Sequence, residues 1–116
     1  INFKRGSIKG LYFVFSLRAN DWVIRIDIDF GADKGQASME LFDKLEREAS
    51  EIEKAFGKKL KWEKGKGRVC RIICPSSTGG YKTPEILTSV QDAMVDMMVR
   101  LVRAVAPVLD GLSGTL

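Results

Sequence analysis

The chain has 116 residues, 45% of them apolar, a formal net charge of +4 and no histidine. That is the size of one domain built on one core, with no room for a second. Without histidine there is no Ser–His or Cys–His nucleophile pair, and no imidazole to complete a zinc site.

The opening INFKRGS has no long apolar core of a signal peptide. Starting at Ile1 instead of methionine, residues 1–116 read as a single domain excised from a longer protein, and a cytoplasmic one. From Ser7 to Leu17 the run SIKGLYFVFSL is almost continuously apolar and aromatic, and Arg18-Ala19-Asn20-Asp21 follows as a polar turn. This predicts a hairpin. In its second arm Trp22, Ile24, Ile26, Ile28 and Phe30 alternate with Val23, Arg25, Asp27 and Asp29, the period of a strand with one buried face.

After Gly31 the period lengthens. Leu41, Leu45, Ala49, Ile52 and Phe56 form one stripe of an amphipathic helix that ends at Gly57, a residue suited to the left-handed position beyond a helix. The outer face, with Glu40, Asp43, Lys44, Glu46, Arg47, Glu48, Glu51 and Lys54, is a solvated surface.

The next stretch, GKKLKWEKGKGRVCR, holds seven basic residues against one acid, so the chain outside it is net negative. Leu60 and Trp62 fall on one side of a strand and Lys59, Lys61 and Glu63 on the other; Gly65 and Gly67 permit a turn, and RVCRIIC returns. The basic residues therefore sit on a β-hairpin, partly on a strand face and partly at the tip. Cys70 and Cys74, four apart on the returning strand, would have α-carbons about 13 Å apart, too far for a disulfide. Their spacing is not that of a CxxC pair, and they read as buried reduced thiols.

PSSTGGYK is a loop, and Thr83-Pro84 a helix start, with the hydroxyl as N-cap and proline at the first helical position. The last helix is expected to reach about Leu109, with Pro107 bending its final turn. Its polar positions from Asp92 on are Asp92, Asp96, Arg100 and Arg103, and valine and methionine cover the remainder. A charge at every turn excludes a membrane span, but a helix apolar over so much of its circumference must be covered on more than one side.

The resulting order is ββαββα: an α+β domain with a four-stranded antiparallel sheet and two helices packed on it. Its other face would expose Tyr12, Val14, Val23, Val69 and Ile73 beside Arg25, Asp27, Asp29, Lys61 and Arg71. Apolar residues on that face and on the last helix, where Val95, Met98, Val99 and Val102 are the interface candidates, imply a homodimer or an upstream domain of the parent protein.

Residues 52–72, IEKAFGKKLKWEKGKGRVCRI, together with Phe42 and Leu45, resemble the bacterial and archaeal family known as domain of unknown function 4268. The matching positions are Phe42, Leu45, Ile52, Glu53, Gly57, Leu60, Trp62, Arg68, Cys70, Arg71 and Ile72, and IDIDFG resembles the family's end of the second strand. The chain departs from the pattern at ADKGQASMELF, where the family's Asn-Lys pair is absent and the loop is about two residues longer. The resemblance implies the ββαββα order over residues 8 to 110 and a place at the C-terminal end of a longer protein, sometimes behind a nuclease-like domain. It transfers no catalytic residue.

Metal-dependent nuclease chemistry needs an acid ending one strand and an acid-x-lysine on the next. Asp27 or Asp29 supplies the first acid, but the residue two beyond Glu63 is Gly65. The aspartates are expected instead to pair with Arg25 or Arg71. Thr78-Gly79-Gly80 lacks the lysine-serine pair of a phosphate loop, and Ser76 and Ser77 have no base. The expectation is therefore an accessory module without catalytic residues, metal or cofactor, whose Lys58, Lys59, Lys61, Lys64, Lys66, Arg68 and Arg71 bind DNA or RNA phosphates. The alternative is a dimerisation or docking module with no nucleic-acid role.

Overall fold

In the computed structural model of the chain, which describes residues 2–8, 10–65, 69–74 and 77–113, the alternating strand identified above lies at the centre. This is β3 (Asp21–Ile28), which pairs antiparallel with β2 (Leu11–Leu17) on one side and β5 (Cys70–Ile73) on the other. The two-residue β6 (Ser77–Thr78) runs beside its first residues. β1 (Asn2–Ile8) and β4 (Lys61–Glu63) are the two edges, so the main path is β1-β2-β3-β5-β4.

Trp22, Ile24, Ile26 and Ile28 join Leu11, Phe13, Cys70 and Ile72 in one buried layer. Three α-helices supply the other half of the core: α1 (Gly35–Arg47), α2 (Ala49–Phe56) and α3 (Leu87–Ser113), through residues such as Phe42, Leu45, Ile52, Phe56 and Leu101. No helix among the described residues is long and apolar enough to cross a membrane.

The fold is α+β with an antiparallel sheet, but the simple ββαββα order is altered by β6, which adds a strand after β5, and needs three further corrections. First, a strand precedes the expected hairpin. The stretch NFKRGSI pairs with β2 from Asn2↔Ser16 to Ile8↔Leu11, and the apolar run from Ser7 to Leu17 is split by a turn at Gly10. There φ is 86°, and a β-carbon would stand 2.6 Å from the Phe30 ring. A charged edge strand shows little of the alternation that reveals a buried one.

Second, the amphipathic helix is two helices. Glu48, at φ −100° and ψ 16°, interrupts it, and its N–H donates to the Leu45 carbonyl at 3.0 Å, an i→i−3 bond that tightens the turn. The stripe survives the interruption, with Leu41, Leu45, Ile52 and Phe56 all buried. Third, the last helix begins as a 3-10 turn over Pro84–Ile86, Thr83 makes no side-chain capping bond, and α3 continues through Pro107 to Ser113.

The α2–β4 junction is the most constrained corner. Gly57 closes α2 at φ 96°, its N–H donating to the Glu53 carbonyl at 2.8 Å. Arg100 of α3 donates from Nη2 to the Phe56 carbonyl at 3.0 Å while its guanidinium lies 5.6 Å from the centre of the Phe56 ring. A cation thus satisfies the carbonyl end of α2. Replacing Gly57 with alanine forces a side chain into the left-handed region and sets its β-carbon 2.9 Å from Arg100 Nη2. The expected loss is about 1–2 kcal/mol, read as a lower urea midpoint at unchanged slope.

Candidate polyanion-binding surface

Five of the seven predicted basic residues lie among the described residues, beginning at this corner. Lys58 and Lys59 precede the hairpin, in the turn between α2 and β4, and both are exposed. Lys61 lies on β4 and Arg71 on β5, while Lys64 follows β4. Lys66 and Arg68 lie outside the described residues.

The turn is held by one carboxylate. Glu53 Oε2 accepts both the Leu60 backbone N–H at 2.7 Å and the Trp62 indole N–H at 3.3 Å. Trp62 in turn meets Phe42 edge-on, with ring centroids 6.0 Å apart. The indole is thereby committed to the core side, as its alternation with Lys61 and Glu63 predicts, and does not stand free for base stacking.

Register then assembles the open face of the sheet. One row runs Val14, Arg25, Ile73, Lys61 across β2, β3, β5 and β4, and the next runs Tyr12, Asp27, Arg71, Glu63. Arg18, Arg25, Lys61 and Arg71, with Glu63, Val23 and Ile73, line a depression of about 530 Å³. Arg18 and Arg25 were not among the predicted site residues. Arg25 alternates with core positions in the sequence, which sets its face, but its closeness to Lys61 depends on β3 pairing with β5.

Carboxylates answer several of these cations. Asp27, only 5% exposed, receives Arg25 Nε at 2.8 Å and Nη2 at 3.4 Å, and Arg71 Nε lies 3.5 Å away. Its carboxylate is therefore shared by two guanidinium groups, where pairing with Arg25 or Arg71 was expected. Lys61 pairs with Glu63 at 3.0 Å, Lys64 with Asp43 at 3.0 Å, and Arg18 with Asp21 at 2.6 Å. Asp29, just beyond β3, accepts the Gly31 N–H at 3.0 Å. Among the described residues no carboxylate lies within 4.0 Å of Lys58 or Lys59.

The apolar members of the open face are less available than the sequence implies. Val14, between β1 and β3, is 1% exposed, and Val23, opposite Ser16 of β2, is 6% exposed. Of the proposed helix interface, Val95, Val99 and Val102 are exposed, but Met98 is 6% exposed and belongs to the core.

Both cysteines are reduced and buried. Cys74 Sγ lies 3.0 Å from Met97 Sδ. Burial pushes the Cys74 thiol pKa up, against the pull of the Lys58 and Arg100 charges.

Replacing Asp27 with alanine leaves two guanidinium groups without their shared acceptor and should cost about 1–3 kcal/mol, measured by chemical denaturation. The thiols should react with a disulfide reagent only as fast as the chain unfolds. Since the folded Cys74 ionises later than the unfolded one, its contribution to stability is complete below the ordinary thiol pKa and is lost as pH rises from there through the raised folded pKa. Urea midpoints for the wild type and Cys74→Ala across that range check the sign.

The curated proteins and the solved structures gave no match to this chain. The family model described as Domain of unknown function (DUF4268) matches residues 1–109. Several residues that carry the resemblance meet in the corner just described, Phe42 against Trp62, Glu53 bridging to Leu60 and Gly57 ending α2, while Cys70 and Ile72 belong to the core, Arg71 stands on the open face and Arg68 lies outside the described residues. With a match over nearly its whole length, the chain belongs to the DUF4268 family.

Proposed function

We propose that the domain is a non-catalytic accessory module that holds the phosphate backbone of a nucleic acid against the α2–β4 turn and the adjoining edge of the open sheet face. The observation that carries this reading is the turn itself. Lys58 and Lys59 are exposed, have no carboxylate within 4.0 Å among the described residues, and stand on a backbone fastened by Glu53. Cations on a fixed turn lose less freedom on meeting a phosphate than cations on a loose one.

Lys61, Arg71 and Arg25 continue the surface along the sheet. Their carboxylate partners do not close it. The Lys61–Glu63 pair has side chains 69% and 40% exposed, and an ion pair so placed is worth at most about 1 kcal/mol. A phosphate can share such a lysine at small cost. Asp27 remains bound between its two arginines, which keeps their guanidinium groups extended over the sheet. Backbone contact of this kind carries no base sequence information, so binding is expected to be indifferent to sequence.

Fluorescence anisotropy with random-sequence duplex and single-stranded DNA tests the reading. Binding is expected at about 50 mM salt, weakening on the order of a hundredfold by 200 mM for about four phosphate contacts. The double substitution Lys58→Glu, Lys59→Glu, at exposed positions, should leave the fold intact and reduce the log–log salt slope by about two. No binding at about 50 mM salt, or an unchanged slope in the double variant, rejects the surface.

A further inference from the structure

The helix α3 is more apolar than the fold requires. Met94, Leu101 and Val105 face the core, and Val95, Val99 and Val102 are nevertheless 56%, 41% and 38% exposed. Their spacing of four and three residues places them on one stripe along the helix. Arg100, about 100° further round from Val99, reaches α2 at Phe56, so the stripe lies on the flank of α3 turned away from α2.

The charges beside the stripe decide what fits it. Asp92, Asp96 and Arg103 share one border of the stripe, the two acids N-terminal to the base, and Asp110 follows farther along the same line. Among the described residues none of Asp92, Asp96 and Arg103 has an opposite charge within 4.0 Å. The i+4 partner available to Asp96 is Arg100, which is occupied with the Phe56 carbonyl, and positions four to either side of Arg103 are Val99 and Pro107.

We infer that the stripe is the contact for a second copy of this chain, with the two α3 helices antiparallel about a two-fold axis between Met98 and Val99. That centre sets Val95 against the partner's Val102. It also brings the partner's Arg103 level with Met94, midway between Asp92 and Asp96 and within reach of either carboxylate. The two-fold repeats both contacts. A parallel pairing would set this border of one helix against the opposite border of the other and part Asp92 and Asp96 from the partner's Arg103, so only the antiparallel arrangement brings the opposite charges together. The inference is independent of the polyanion surface, since no residue of α3 belongs to it.

Sedimentation velocity of the chain over the micromolar range tests the contact. The wild type should associate to a dimer. Arg103→Asp should weaken dimerisation about tenfold or more, because each reversed pair occurs twice. The triple variant D92R/D96R/R103D, with the pattern inverted, should recover it. Val99→Lys, at a position already exposed in the monomer, should abolish it with helical circular dichroism unchanged. A wild type that stays monomeric throughout overturns the inference. So does association that Arg103→Asp leaves untouched or the triple variant fails to restore.

Discussion

A single carboxylate oxygen holds the α2–β4 corner together. Glu53 Oε2 takes the Leu60 amide and the Trp62 indole together, and thereby fixes where the chain goes after Gly57 turns it out of α2. Without that bridge two donors next to the core would need other partners, and a partly buried donor left without one costs about 1–3 kcal/mol. The bridge ties the glutamate, the leucine and the tryptophan to the turn that the left-handed glycine opens, so that the four are parts of one joint.

From that joint the arrangement of charge follows. The turn offers Lys58 and Lys59 to solvent, and β4 leaves it as the sheet edge with Lys61 and Glu63 on the open face. Antiparallel register then places Arg71 and Arg25 alongside, tied through Asp27. The open face is accordingly a lattice of alternating charge, basic at one corner and nearly balanced elsewhere. It also guards the edge: a short strand bearing a lysine and a glutamate is a poor template for pairing with another chain.

Local signals in the sequence reached far, and their limits have physical causes. The period of two from Trp22 to Ile28, the glycine ending the helix, and the inward Trp62 are set by neighbours within a few residues, and all were legible. Strand β1 was not, because an edge strand of charged and polar residues shows little alternation. The partners of the basic residues were only half legible. Asp27 was expected to meet Arg25 or Arg71 and meets both, but the Lys64–Asp43 pair joins residues 21 apart through a contact that only the packed fold creates. Met98 marks another limit. On a helix apolar around most of its girth the buried arc cannot be phased from pattern alone, and one residue separates the core Met98 from the exposed Val99.

The account stands on the basic turn acting as a fixed cationic platform. Its most direct test is to follow backbone amide chemical shifts while a short random-sequence DNA duplex is added at low salt. The account predicts perturbations concentrated on Gly57 to Lys61 and Arg71, fading as salt is raised. Perturbations confined to the helices, or none at all, would contradict it.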